Sequence, residues 1–159
     1  IIETKLEKRR DKHTVTVFDG VIVRIKMNKE FSGHTVVKTD SLLKLDIPIG
    51  SKLRHTTLED VEFENKFDVL TDNELMAMRI LTPDLTNLII DLHDNFGFFF
   101  EIKLINGLLF FRFHSDTLFE PSPDNVRKEA LDIAFYFTML DGMKKIIAEI
   151  VKNLNDFKV

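Results

Sequence analysis

Three acidic residues that lie close together in the sequence are the first candidates for chemistry. Asp60, Glu62 and Glu64 alternate with apolar residues, which predicts a strand over 58–69 with one solvent-exposed side. Carboxylates can hold a divalent cation, but residues two apart on a strand lie about 6.5 to 7 Å apart, whereas the cation needs oxygens within about 2.5 Å. This strand alone therefore cannot hold a metal ion, and we favour a solvated acidic face.

A short basic group is the second candidate. Lys52, Arg54 and His55 follow Pro48 and Gly50, so we predict that they lie in a loop. Cationic side chains bind anions, and this group could contact an anion or a lipid head group. A solvated loop is the simpler interpretation. We keep the basic and the acidic groups as weak interaction candidates.

The histidines form no recognisable catalytic or metal-binding pattern. They lie at positions 13, 34, 55, 93 and 114, without an HxxxH or HxH pair, and the chain has no cysteine. It also lacks GxSxG, Walker and GxGxxG motifs. We therefore predict no catalytic residue, no metal site and no cofactor. The alternative is a metal-dependent enzyme whose site is built from dispersed carboxylates and histidines.

Composition limits the classes of protein to consider. The chain has 159 residues, which predicts one domain, and its net charge of −4 argues against a nucleic-acid surface. Fifteen Phe residues with one Tyr and no Trp indicate an aromatic core. No apolar run reaches the roughly 18 to 20 residues that span a bilayer. The chain starts at Ile1 without Met, which predicts a fragment whose targeting segment is missing.

The sequence around Asn106-Gly107 predicts the element at the centre of the core. This dipeptide lies between two runs rich in Phe, Ile and Leu, and it favours a two-residue type I′ hairpin turn. Such a turn places Ile102 opposite Phe111 and leaves one hairpin face without a polar side chain. It also places Glu101 opposite Arg112 on the other face.

Hydrophobic spacing and turn residues predict the other elements. They are a charged leader or linker over 1–12, a hairpin around Asp19-Gly20, a strand over 34–38, helices over about 71–81 and 82–95, and a long helix starting at 121–124. A capping box over 71–74 opens the first helix, and Thr82 is the predicted N-cap of the second, with Pro83 at its first position. The long helix is predicted to continue through Gly142. The leader could be a frayed helix or a basic segment beside a membrane. The long helix has a stripe of apolar residues, and we predict burial of its 130–140 part on several sides, by the sheet or by a partner chain.

We predict an α+β domain over residues 13–159. It has a mainly antiparallel sheet of five to seven strands, a helical pair inserted between strands, and the C-terminal helix packed on the sheet. A pleckstrin-homology-like roll closed by that helix is a special case of this prediction.

The order of several sequence blocks resembles a known family. Val17–Gly20 and Met27–Val37 resemble the run F-x-G … F-N-K-x-F-x-G-x-T-V-V, and Leu58–Val69 resembles L-E-D-x-E-F-E-x-x-F-x-V. Further matching blocks are Ile80–Pro83, Leu118–Pro121 and Ile150–Asn155, the last resembling I-V-x-x-L-N. The chain is similar to the bacterial family catalogued as domain of unknown function 3137.

This resemblance implies little about activity. Such proteins usually have a pair of hydrophobic transmembrane segments ahead of this domain, and the family implies no cofactor or catalytic residue. The chain departs from the family at Met76–Arg79, where the family tends to show Glu-Ala-Arg-Tyr. The departure removes a charge pair.

Our leading hypothesis is a non-catalytic domain of a membrane-anchored protein, on the cytoplasmic side, that binds a protein or lipid partner. The metal-dependent enzyme is the alternative. A third hypothesis is self-association through the C-terminal helix, because of its wide apolar surface.

Overall fold

The chain folds into an antiparallel sheet with helices. The computed structural model describes residues 1–10, 13–28, 31–40, 51–97, 100–114 and 126–156. The strands are β1 (Ile2–Arg10), β2 (His13–Lys26), β3 (His34–Thr39), β4 (Arg54–Thr56), β5 (Phe67–Thr71), β6 (Phe100–Ile105) and β7 (Leu108–His114). The helices are α1 (Val61–Glu64), α2 (Glu74–Ile80), α3 (Pro83–Phe96) and α4 (Val126–Asn155).

The sheet has the strand order β1-β2-β7-β6-β3-β5-β4. All of its pairings are antiparallel. The helical pair α2 and α3 lies between β5 and β6 in the chain, and α4 follows the last strand. These features confirm the predicted α+β fold. The single-domain assignment of residues 13–159 stays a prediction.

The hairpin β6–β7 has the predicted register. Asn106 and Gly107 have φ angles of 49° and 74°, as a type I′ turn requires, and Ile102 lies opposite Phe111. β2 and β3 pair with the two outer sides of the hairpin. The hairpin therefore lies in the middle of the sheet.

The helices cover one face of this sheet. Alternate hairpin residues from Phe100 to Phe113 are buried there, together with Ile89 of α3 and Met143 of α4. α4 continues through Gly142 as predicted. A Cβ at position 142 would lie 2.8 Å from Leu92 Cδ1, so the glycine allows α3 and α4 to approach closely.

The other face of the sheet carries a row of alternating charge. Asp68, Lys38, Glu101 and Arg112 are successive neighbours across β5, β3, β6 and β7. Lys38 Nζ lies 3.3 Å from Asp68 Oδ2, and Arg112 Nη1 lies 3.1 Å from Glu101 Oε1. Because like charges directly opposite each other would repel, a slip of one strand would be unfavourable, and the row supports the register.

The N-terminal region differs from the prediction at two points. Ile2–Arg10, expected to be a helix or linker, forms β1 along β2. Asp19 and Gly20 form no turn, because they lie inside the continuous strand β2, where Gly20 pairs with Thr4 on one side and with His114 on the other. A turn signal is local, and pairing on both sides of β2 outweighs it.

The sheet is open, with β1 and β4 at its edges. The pleckstrin-homology-like roll, a special case of the predicted fold, stays a prediction. β4 also replaces the loop expected for Arg54 and His55. Its three residues pair with β5 and form the edge strand.

The N-terminal half of α4 leaves an apolar surface open in the described structure. Ile133, Phe137 and Leu140 are 55%, 70% and 43% exposed, and their spacing places them on one helix face. The ring of Phe135 instead packs edge-on against Phe96 of α3, at 4.9 Å. The predicted burial of this half by the sheet is therefore wrong at these positions, and its alternative, burial by a partner chain, stays a prediction. The predicted start of the helix at 121–124 lies outside the described residues.

Candidate functional site

A cleft of about 930 Å³ opens at the edge of the sheet, beside β4 and the end of β5. We call it the edge cleft; it is lined by Gly33 and by residues 51–56 and 71–74. It brings together the three basic candidates, Lys52, Arg54 and His55. The acidic candidates do not line it.

The pairing of β4 with β5 places the two long walls of the cleft. Arg54 lies opposite Thr71, so the residues before β4 and those after β5 meet at the same end of the sheet. Ser51 Oγ accepts a hydrogen bond from Leu53 N at 3.1 Å, which turns the chain into β4. The edge strand therefore holds its basic residues beside the segment that follows β5.

Hydrogen bonds that involve both side chains and backbone hold residues 71–74 on the other side of the cleft. Asp72 Oδ1 accepts a hydrogen bond from His34 N at 2.6 Å, and Asp72 N donates to His34 O at 3.1 Å. Asn73 Oδ1 accepts from Met76 N at 3.1 Å and caps α2. The predicted capping box over 71–74 is thus shifted, because Asn73 rather than Thr71 is the cap.

The two walls carry opposite charges. Lys52 and Arg54 form the basic wall; Asp72 and Glu74 form the acidic wall, and all four residues are exposed. None of these four side chains forms an ion pair with another residue of the described ranges. His55 differs, since its Nδ1 lies 3.8 Å from Asp68 Oδ1.

The strand predicted over 58–69 is wrong in its first part. Asp60 Oδ1 accepts hydrogen bonds from Glu62 N and Phe63 N at 3.0 and 3.1 Å, and so caps α1. Within this range, only the residues of β5 form a strand. The alternation of apolar and acidic residues here accompanies a capped helical turn, in which Phe63 is completely buried.

The two glutamates of the acidic group also support local structure. Glu64 Oε1 accepts a hydrogen bond from Leu58 N at 2.8 Å, and Glu62 Oε1 lies 3.0 Å from Lys66 Nζ. Hydrogen bonds to Asp94 and then to Glu62 raise the pKa of Lys66, and the bond from Lys66 lowers the pKa of Asp94. Among the residues that the structure describes, no three His, Asp or Glu side chains could hold a metal ion together.

His34, next to the edge cleft, has a buried ring nitrogen. Its Nε2 has no hydrogen-bond partner within the described ranges. Burial lowers the pKa of His34 below its ordinary value of 6.5, and the Lys103 ammonium lowers it further, against opposite effects of Asp72 and Glu101. The fold therefore favours the neutral ring.

We expect acidification to destabilise the fold through His34. The unfolded chain binds a proton at His34 near pH 6.5, and the folded chain binds it only at lower pH. The contribution of the neutral His34 ring to the free energy of unfolding is therefore complete above about pH 6.5. It is lost as the pH falls through the lower pKa that His34 has in the folded chain. Urea unfolding of the wild type and His34→Gln, from about pH 8 to about pH 5, measures it. The stability difference between the two should change below about pH 6.5, and the same comparison between about pH 7 and about pH 8, where the ring is neutral in both states, is the control. A difference that stays constant would contradict the prediction.

The sequence indicates the basic wall but not the acidic wall. At residues 71–74 the local pattern predicts a helix cap alone. Nothing in the local sequence indicates that β4 pairs with β5. The pairing of β4 with β5 brings the two walls together, and Gly33 lies beside them. Local sequence patterns cannot indicate contacts between segments that are distant in the sequence.

These observations define an α+β domain whose open antiparallel sheet has helices on one face and a charged cleft at one edge. The chain belongs to the family described as protein of unknown function (DUF3137), whose model matches residues 16–152. This match confirms the family that the sequence blocks resemble. No curated protein and no solved structure matches the chain. Among the described residues, no helix has the length and apolar character needed to cross a membrane.

Proposed function

We propose that this chain is a non-catalytic binding domain and that the edge cleft is its binding site. The observation that carries the proposal is the set of four charged side chains in the cleft without an ion-pair partner among the described residues. Other charged residues without an ion pair, such as Arg24 and Lys144, lie outside the cleft, whereas these four face one another across it. Because a cleft concentrates the field of its charges, these unpaired groups favour a complementary charged ligand.

The ligand in this proposal is a lipid head group, and the domain is held at the cytoplasmic side of a membrane by segments outside this chain. The family supports the membrane part, since the proteins that the sequence resembles usually have two hydrophobic segments ahead of the domain. Anchoring raises the local concentration of head groups at the cleft. A site with modest intrinsic affinity would then be occupied. The metal-dependent enzyme stays a prediction.

Vesicle co-sedimentation tests the proposal. We expect the chain to sediment with vesicles of mixed phosphatidylethanolamine and phosphatidylglycerol, and Lys52→Ala/Arg54→Ala to bind at least about tenfold more weakly. Arg24→Ala/Lys144→Ala removes the same charge from exposed positions outside the cleft and is the matched control. Equal losses in the two double variants, or no sedimentation of the wild type, would overturn the proposal.

We also propose that α4 mediates self-association of the chain. Ile133, Phe137 and Leu140 form an exposed apolar stripe that is unlike the isolated apolar residues of most protein surfaces. A second copy that presents the same stripe would bury it in a symmetric, antiparallel helix pair.

Light scattering after size exclusion checks the self-association. We expect the wild type to form dimers at about 100 µM, and Phe137→Glu to be monomeric, because the dimer would bury an unpaired carboxylate. Thr138→Glu adds the same charge to an exposed position of α4 beside the stripe and should leave the dimer intact. A monomeric wild type would remove this proposal.

A further inference from the structure

We infer that the edge cleft recognises a zwitterion with a phosphate group and a primary ammonium group, as in ethanolamine phosphoesters. This inference rests on the proposed function and names the class of its ligand. Its basis is the placement of Lys52 and Arg54 on one wall and of Asp72 and Glu74 on the other, with both charges exposed to the same cleft. A ligand with only one charge would leave one wall unneutralised.

The basic wall has the groups that bind a phosphate. A guanidinium donates two parallel hydrogen bonds to phosphate oxygens, and a lysine ammonium adds a mobile point charge. The backbone of Arg54 is fixed by pairing with Thr71, and the bond from Leu53 N to Ser51 Oγ fixes the turn that bears Lys52. The wall is therefore placed before the ligand arrives.

The acidic wall has the acceptors that an ammonium needs. Asp72 uses Oδ1 for the His34 N–H, which leaves Oδ2, and no described residue pairs with the Glu74 carboxylate. A primary ammonium donates three hydrogen bonds, whereas a trimethylammonium group donates none. This wall should therefore distinguish ethanolamine from choline.

The size of the cleft also admits this ligand. The cleft volume of about 930 Å³ leaves room for the glycerol portion of a lipid beyond the head group.

A titration monitored by amide chemical shifts tests the ligand class. We expect phosphoethanolamine to shift the signals of residues 51–56 and 71–74 and to bind at least about fivefold more tightly than phosphocholine or glycerol phosphate. Similar affinity for all three compounds would overturn the inference. So would tighter binding of glycine, which has a carboxylate in place of the phosphate.

Variants of the acidic wall separate this inference from the proposed function. Glu74→Gln keeps the shape of an exposed side chain, and it should weaken phosphoethanolamine binding about tenfold without weakening glycerol phosphate binding. Glu59→Gln, at an exposed position outside the cleft, is the control, and thermal unfolding verifies that both variants fold. An unchanged affinity in Glu74→Gln would overturn the inference.

Vesicles identify the source of the phosphoester. Binding to phosphatidylethanolamine vesicles as well as to soluble phosphoethanolamine indicates the lipid, and binding to the soluble compound alone indicates a free phosphoester. If vesicles bind through Lys52 and Arg54 without preference for ethanolamine, the proposed function stands and the inference fails. If neither vesicles nor soluble compounds bind, both fail.

Discussion

Replacing Asn153 with aspartate is expected to destabilise the fold by about 3 to 5 kcal/mol at neutral pH. Asn153 is buried near the end of α4, and its Nδ2 donates hydrogen bonds to Ile80 O and Thr82 Oγ1, both at 2.9 Å. An aspartate has no N–H to donate, and it places a carboxylate against the Ile80 carbonyl oxygen. Two acceptors lose their donor, and a charge is buried without a partner.

The pH dependence of this variant gives a second check. Burial against a carbonyl raises the pKa of the new carboxyl in the folded state, while the unfolded chain deprotonates it near pH 3.9. The destabilisation should therefore grow as the pH rises above about 4 and shrink on acidification. Urea unfolding at several pH values measures it, with Asn155→Asp at an exposed position as the control. A loss under about 1 kcal/mol at neutral pH would contradict the prediction.

The same contact shows why some local signals were interpreted incorrectly. Thr82 was predicted as the N-cap of α3, and it occupies that position before Pro83, but its side chain makes no cap bond. The hydroxyl instead accepts the bond from Asn153, which joins the end of α4 to the connection between α2 and α3. The sequence indicated where the helix begins. It could not indicate that a residue 71 positions away would use the hydroxyl.

The elements that were predicted correctly depend on neighbours in the sequence. The hairpin β6–β7 is the clearest case, because the turn at Asn106-Gly107 and the alternation on both strands specify one register within a few residues. The boundaries of α3 likewise follow from Pro83 at its start and from the Gly97 C-cap, whose φ is 63°. Interactions between residues close in the sequence determine both elements.

The edge cleft depends on contacts between distant segments. β4 pairs with β5, but its own sequence carries no strong strand signal, since two of its three residues are Arg54 and His55. The interruption predicted at Gly20 failed for a related reason, since β1 and β7 extend β2 through it. Sequence patterns therefore identified the basic residues of the cleft but not the residues that face them.

Gly33 lies in close contact with the acidic wall, and Gly33→Ala is expected to cost about 2 to 5 kcal/mol. Its φ of +97° is unfavourable for any residue with a Cβ, and a Cβ there would lie 2.7 Å from Asn73 Cβ and 3.0 Å from Asp72 Oδ1. Asn73 Cβ is fixed to the backbone that begins α2. The overlap can be relieved only by moving Asp72 and Asn73.

Gly97→Ala separates the two contributions to this cost. Gly97 also has a positive φ, of +63°, but a Cβ there would meet no atom within 4 Å. It should therefore cost about 1 kcal/mol, from the backbone alone. Denaturant unfolding of the two variants measures the difference, which contains the cost of pushing the acidic wall away from Gly33 and the larger backbone strain at a φ of +97° than at +63°. Equal losses would mean that the wall moves freely. Selection of the ligand requires the acidic wall to hold its position opposite the basic wall. Because Gly33→Ala displaces the acidic wall, this variant should also reduce the preference for phosphoethanolamine over phosphocholine.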